Sequence, residues 1–309
     1  MVRPAFLFPG QGSQAVGMGK SFYEASDAAK AVFEEANTAL GFDLRKVAFE
    51  GPESELALTA NTQPAVLTAS VAAARACAER GLTPSFAAGH SLGEYAALVV
   101  AGALRFADAV RVVRKRGEFM QQAVPVGTGA MAAIMGLELG AVETICKEAG
   151  QGEVVEIANI NSAGQIVVAG HRGAVERAVA LAGKKSVMLP VSAPFHSSLM
   201  APAAERLAGE LAAIAVGDPT FPVVRNVDAG VTRAADEVKP FLLRQVASPV
   251  RWTDCVQRLH AEGATAFVEV GPGRVLTGLL RRILDGARGH SIEDVAGLDK
   301  ALAALGASA

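Results

Sequence analysis

The stretch AAGHSLGEYAAL, residues 87–98, confines the fold more than any other part of the chain. Small apolar residues lead into a Gly-x-Ser-x-Gly turn made by Gly89, Ser91 and Gly93, and a helix-forming run leaves it. A strand that stops at a sharp turn and continues as a helix needs flanking glycines, because side chains there would strike the returning backbone. Such a turn presents its serine at the edge of a sheet and the head of a helix. Backbone N–H groups and the helix dipole there favour a developing oxyanion. Two roles fit Ser91 equally at this point: a nucleophile, or a helix cap closed by Glu94 as a capping box.

The elements around this turn alternate. PAFLFPGQGSQ reads as a strand, Ala5 to Phe8, that ends in a glycine-rich loop. Helical spacing follows over residues 26–40 and over NTQPAVLTASVAAARACAERG; then come the strand PSFAAGH and helices from Leu92 and over DAVRVVRKRGEFMQQAV. This alternation predicts an α/β fold with a mostly parallel sheet and helices on both faces. From about residue 126 the pattern becomes strand, helix, strand, strand, helix, strand, ending with KSVMLPV, which is the ferredoxin-like order. The expected division is therefore a large domain of residues 1–125 and 197–309, with a small inserted subdomain of residues 126–196. FPVVRNV and TAFVEVGPG supply later strands of the large domain, and residues 286–309 are expected to be polar and partly frayed.

The 309 residues carry a net charge of −2, which leaves no electrostatic footprint for nucleic acid or an anionic membrane. No apolar run reaches the length of a membrane span, and the N-terminal segment lacks the apolar core of a signal peptide. Cys77, Cys146 and Cys255 are odd in number and widely spaced, so neither a disulfide framework nor a zinc site is expected, and a reducing cytoplasm is. No histidine has metal-ligand spacing, so no metal or other cofactor is expected.

A serine nucleophile requires a base. His90 adjoins Ser91 and should point to the far side of the turn. His171 begins a helix of the insert, His260 lies near the end of an amphipathic helix, and His290 lies in the polar tail. His196, in PVSAPFHSSLM, sits where the insert rejoins the large domain, and such junctions form clefts. The oxyanion N–H groups should come from Leu92 and from Gln11 or Gly12 in FPGQGSQ. That loop lacks the Gly-Lys-Ser/Thr ending of a P-loop and the spacing of a dinucleotide site.

With these pieces the chain resembles the malonyl-CoA:acyl carrier protein transacylases of type II fatty acid synthesis, and is similar to the acyltransferase domains of polyketide and animal fatty acid synthases. The resemblance rests on FPGQGSQ, GHSLGEYAAL, RGEFMQ, MAAIMG, NINSAGQIVVAG, PFHSSLM, SPVRW and EVGPG, in that order along nearly the whole chain. It implies an α/β-hydrolase-like domain with a ferredoxin-like insert. It implies Ser91 as the acylated nucleophile, His196 as general base and acid, and Leu92 and Gln11 as the oxyanion donors. The main-chain carbonyl of Gln245 would orient His196 in place of a buried aspartate. Arg116, which spacing alone reads as part of a solvated basic helix face, would pair bidentately with the free carboxylate of malonate. Met120, Met131 and Phe195 would line the pocket.

The implied reaction is ping-pong: malonyl-CoA acylates Ser91, and the phosphopantetheine thiol of acyl carrier protein takes the malonyl group away. Asn159 and Asn161 either hold the pantetheine or CoA arm or only form a turn. Lys184–Lys185 and Arg281–Arg282 are candidate contacts for an acidic carrier protein. Three alternatives stay open. These are a serine esterase or thioesterase with water as acceptor, a discrete acyltransferase serving a polyketide synthase, and a non-catalytic carrier-binding module.

Overall fold

The computed structural model describes residues 2–191 and 193–306. Its larger sheet holds β1 (Pro4–Phe8), β2 (Phe86–Gly89), β7 (Val223–Val224), β8 (Val231–Thr232), β9 (Ala266–Val270) and β10 (Gly289–Ile292). Their spatial order is β10-β9-β1-β2-β7-β8, all parallel except β8, which returns antiparallel to β7. β1, β2 and β9 are buried on both faces, as continuous apolar runs in a helix-covered parallel sheet should be. One face carries the main core. The Thr59–Glu79 helix there is buried on nearly every side, which its alanine-rich sequence permits by close packing. The other face packs Trp252, Val256 and Leu259 of the Trp252–Ala261 helix and Leu276 and Leu280 of the Val275–Ile283 helix against Leu7, Phe86 and Phe267.

A second, antiparallel sheet lies between residues 129 and 188: β3 (Gly129–Met135), β4 (Val155–Ser162), β5 (Gln165–His171) and β6 (Ser186–Met188), in the order β4-β5-β3-β6. Alternation gives the two faces different tasks. Ala130, Ala132 and Ile134 pack with Val142 and Val175 of the two covering helices. Met131 between them packs the other way, with Val167, Ala169, Val191 and Phe195. β4 is irregular between Ile157 and Asn159 and again between Ile160 and Ser162. There it also pairs with the segment before the Trp252–Ala261 helix: Ile160 N–H donates to the Val250 carbonyl and Val250 N–H to the Ala158 carbonyl, both at 2.9 Å.

The fold class read from the sequence holds. The tail does not fray as expected through residue 306, and residues 307–309 lie outside the described ones. His290 is in edge strand β10, and Val295–Leu305 is a helix whose N–H at Gly297 is capped by Asp294 Oδ1 at 2.7 Å. Leu298, Ala301 and Leu302 bury one stripe of that helix, a helical spacing that alanine-rich composition obscured.

Candidate active site

Adjacent parallel strands β1 and β2 end side by side, and ligands bind in such folds at the carboxyl ends of strands. The loop after β1 brings Gln11 and Gly12 to this edge, and the turn after β2 brings Ser91. Ser91 has φ 51°, in the left-handed region that non-glycine residues rarely enter. The flanking glycines make this conformation possible. A Cβ on Gly89 would lie 1.9 Å from the Gly93 carbonyl, and one on Gly93 would lie 2.1 Å from the Phe8 carbonyl oxygen. The helix begins at Gly93 with no side-chain cap, and Glu94 turns inward, so the capping-box reading of Ser91 and Glu94 is corrected. The serine occupies the elbow itself.

Asn226, just past β7, clamps the elbow. Its Oδ1 accepts the Ser91 N–H at 2.7 Å, and its Nδ2 donates to the Gly89 carbonyl at 2.8 Å. Its own N–H donates to Glu94 Oε2 at 3.0 Å. His90 is bonded elsewhere, its Nε2 meeting Asn161 Oδ1 at 2.9 Å and its ring lying near Trp252, but it lines the same cavity as Ser91 and His196 rather than being set apart from it.

Ser91 Oγ lies 2.7 Å from His196 Nε2, and His196 Nδ1 lies 2.9 Å from the Gln245 carbonyl oxygen. A carbonyl only accepts, so Nδ1 carries the proton and Nε2 is left to accept from Ser91. His196 is buried and has φ 62°, in a tight loop closed by a 2.7 Å bond from Ser197 Oγ to the Pro194 carbonyl. Burial, and then the charge of Arg116, push its imidazole down to about 3, so the ring rests neutral.

Arg116 is not solvated. It lies on the inner face of the Phe106–Gln122 helix, 2% exposed. Nη1 donates to Gln63 Oε1 at 2.8 Å, and Nη2 donates to Ser91 Oγ at 3.1 Å and to Gln245 Oε1 at 3.0 Å. The Tyr95 ring lies beneath the guanidinium, 5.7 Å from its carbon. Gln245 is thus used twice, by its carbonyl toward His196 and by its amide toward Arg116. The amide Nε2 donates to the Ser91 carbonyl at 3.0 Å and to Glu94 Oε2 at 2.8 Å. Glu94 is fully buried, and that burial pushes its carboxyl up to about 7 against the pull of these donors and of Arg116.

Ser91, His196 and Arg116 open into a cavity of 770 Å³, lined also by Gln11, Leu92, Met120, Met131, Asn159 and Phe195 among others. The structure therefore brings these sequence-predicted residues together. Asn161 departs from them: its amide is spent on His90 and it is not part of the lining. Asn159 and Asn161 both lie within β4 rather than in a turn. Lys184–Lys185 and Arg281–Arg282 are exposed and stand outside the cavity lining. Sequence reading missed Gln63, Asn226 and the inward role of Glu94. The signal for Gln63 was a polar side chain in an otherwise buried apolar helix, and for Asn226 a lone amide at the carboxyl end of a parallel strand.

Residues 5–304 match the family model described as acyl transferase domain. The chain is 49% identical over 307 residues to the malonyl CoA-acyl carrier protein transacylase of Escherichia coli K12, covering 98% of this chain and 99% of that one. It is 50% identical over 288 residues to the protein of the same description from Bacillus subtilis, covering 92% and 91%. An acyl carrier protein S-malonyltransferase from Vibrio cholerae superposes with a TM-score of 0.94 at 48% identity, covering 97% of this chain and 99% of that one. A malonyl-transacylase solved in complex with a type II polyketide-synthase acyl carrier protein superposes with a TM-score of 0.95 at 46% identity, covering 98% and 99%.

Proposed function

The chain belongs to the acyl transferase family, and we infer that within it the protein moves the malonyl group of malonyl-CoA onto the phosphopantetheine thiol of acyl carrier protein. It thereby supplies malonyl units for fatty acid synthesis. The observation that carries this reading is the meeting of His196 Nε2 and Arg116 Nη2 on one oxygen, Ser91 Oγ, at 2.7 and 3.1 Å. The first is a base for a nucleophile; the second is a cation with no catalytic use for a neutral acyl chain.

In our mechanism Ser91 Oγ attacks the thioester carbon of malonyl-CoA while His196 Nε2 takes the hydroxyl proton. The oxyanion is held by the N–H groups of Leu92, at the head of the Gly93–Val100 helix, and of Gln11. The tetrahedral intermediate collapses, the C–S bond breaks, and His196 returns the proton to the leaving thiolate. Malonyl-Ser91 remains, with its distal carboxylate on the Arg116 fork. The pantetheine thiol then gives its proton to His196 and attacks the ester, and Ser91 recovers its proton as it leaves. The Gln245 carbonyl keeps the imidazole in one tautomer throughout. It stabilises an imidazolium less than a carboxylate would, but the substrate carboxylate offsets the Arg116 charge that holds His196 acidic.

In this reading Met120, Met131 and Phe195, which line the cavity, would form the apolar wall around the three-carbon chain, and Asn159, in the same lining, would meet a pantetheine amide. We assign residues 1–125 and 197–309 to the catalytic domain and residues 126–196 to the insert that roofs it. The steps use side chains and backbone alone and call for no metal or cofactor. Among the described residues no group of acids, histidines and cysteines has a metal-holding arrangement, and no helix is long and apolar enough to cross a membrane. The three cysteines are buried thiols, which suits a reducing cytoplasm.

Intact-protein mass after incubation with malonyl-CoA tests the covalent step. One malonyl group should be gained, lost on adding holo-acyl carrier protein, and absent in Ser91→Ala. Turnover without any adduct under single-turnover conditions would remove the ping-pong mechanism.

A further inference from the structure

Glu94 is a buried carboxylate that the reaction above does not use. Its surroundings are cations and donors. Arg116 and then Arg225 favour its charge, and Asn226 N–H and Gln245 Nε2 donate to one of its oxygens, Oε2. Arg225 already has two carboxylates of its own, Asp228 at 2.8 Å and Glu237 at 3.1 Å. Arg116 has none within ion-pair distance among the described residues. Among the described residues it is bonded to neutral oxygens alone: two side-chain amides and the Ser91 hydroxyl. Yet a guanidinium buried this deeply requires compensation. Between the two charges stands a single amide, with Gln245 Oε1 on Arg116 and Gln245 Nε2 on Glu94. The sense of that amide is fixed from both ends, because the Ser91 carbonyl can only accept and the Arg116 guanidinium can only donate.

We propose that Glu94 is the counter-charge of Arg116, held one amide away so that the guanidinium stays open to a substrate carboxylate, and that it sets how tightly that carboxylate is held. A carboxylate in direct contact would close the fork to malonate. A site with no carboxylate would grip malonate hard, in the acyl-enzyme as well as in the transition state, and hold the group against transfer. Glu94 at one remove is repelled by the incoming carboxylate through a low-dielectric interior and tempers the grip. Glu94 is thus a positioning and specificity-setting residue that acts through Gln245 and touches no substrate atom.

The inference rests on the carboxylate-anchor reading of Arg116, and the test separates the two. Free malonate is the probe, measured as an inhibitor of Ser91 acetylation by acetyl-CoA at pH 8. Glu94→Gln retains an acceptor for Asn226 N–H and the Gln245 amide but removes the charge. Malonate should inhibit this variant at about tenfold lower concentration than the wild type, as expected for removing a nearby like charge. Uninhibited acetylation should change by less than about threefold. A purely structural role predicts the opposite, weaker malonate inhibition with slower acetylation, and that outcome, or no change, overturns the proposal.

Should Glu94→Gln fail to fold, Gln245→Glu tests the same idea from the other side. It keeps the backbone carbonyl for His196 and sets one carboxylate oxygen on Arg116 and the other against Glu94 Oε2 and the Ser91 carbonyl, where the two carboxyls share a proton with the charge drawn toward Arg116, and malonate inhibition should weaken by about tenfold or more. Unchanged inhibition would sink the insulating role of the amide. Arg116→Ala serves as the control. If malonate inhibits it as well as the wild type, the anchor reading fails; if only the Glu94 and Gln245 variants behave like wild type, the anchor stands and the counter-charge does not.

Discussion

Arg116 Nη2 donates to Ser91 Oγ at 3.1 Å, on the same oxygen that faces His196 Nε2 at 2.7 Å. Before substrate arrives, the residue that would anchor the far end of the acyl chain is bonded to the nucleophile that attacks its near end. In the proposed reaction a malonyl group would bridge these two residues, which would make carboxylate recognition and thioester placement parts of one geometry.

Arg116→Ala should therefore lose malonylation of Ser91 by about a hundredfold or more, since a paired charge-assisted contact contributes on the order of 3 kcal/mol. Acetylation by acetyl-CoA should be retained or rise, because the hydroxyl is freed and the space enlarged. Single-turnover mass spectrometry with each thioester measures both. Malonylation at the wild-type rate would mean the carboxylate binds elsewhere.

The elbow gives a second prediction, in which one substitution has opposite signs at two sites. Gly89→Ala places a methyl 1.9 Å from the Gly93 carbonyl, backbone that cannot move without dismantling the turn. It should cost more than about 4 kcal/mol, or abolish soluble expression. Gly140, exposed in the first turn of the Leu139–Gly150 helix, has nothing within 4 Å of its Cβ position, so Gly140→Ala should stabilise by about 0.5–1 kcal/mol. Thermal unfolding of both variants decides, and equal effects would mean the strand-turn-helix is not as tight as described.

The elbow was legible in sequence because its chemistry is local: the glycines that permit it lie within two residues of Ser91. His196, Gln11 and Arg116 were legible through the ordered motifs that carry them. What could not be read was the support between elements. Gln63, Glu94, Asn226 and the side-chain amide of Gln245, whose carbonyl alone was expected to act, come from four separate segments, and nothing local marks an amide that will donate to a carbonyl 154 positions away. Arg116 shows the same limit. Its helix face reads as basic and solvated, and only the packing of the Thr59–Glu79 and Phe106–Gln122 helices buries it. The tail failed for a related reason, since a parallel edge strand gains its meaning only from β9 beside it.

Two buried groups should leave opposite signatures in the pH dependence of stability. His196 stays neutral in the folded protein down to about 3, whereas in the unfolded chain it takes up a proton near its ordinary value of 6.5. Its contribution is complete above 6.5 and is lost as pH falls from there toward 3, so the stability cost of His196→Gln relative to the wild type, read from urea midpoints, should be smaller at pH 5 than at pH 7. Glu94 runs the other way. Its folded value of about 7 exceeds the ordinary 4.5, so stability is greatest below 4.5 and declines as pH rises through 7. Glu94→Gln should compare better with the wild type at pH 8 than at pH 5. Parallel shifts of variant and wild type across this range would show that neither group titrates as its burial implies. The catalytic counterpart is that kcat/KM for acetylation by acetyl-CoA should show no fall attributable to His196 between about pH 7 and pH 5.

Asn226 is the side chain on which the strained serine depends. Its Oδ1 holds the Ser91 N–H and its Nδ2 the Gly89 carbonyl, so it bridges the two sides of the elbow. Asn226→Ala leaves a buried donor and a buried acceptor unsatisfied and should cost about 2–3 kcal/mol of stability. Relaxation of φ at Ser91 would then swing Oγ off the His196 line, and a misplacement of this kind costs on the order of a hundredfold in acylation rate. Asn226→Asp separates the two bonds. It can still accept from Ser91 N–H but cannot donate to Gly89, and it adds a second carboxylate beside Glu94, so it should rescue neither property. Stability from urea unfolding and single-turnover acylation by malonyl-CoA measure the two effects independently. An Asn226→Ala variant that acylates at the wild-type rate would show that the glycines and the Ser91–His196 bond hold the elbow without it.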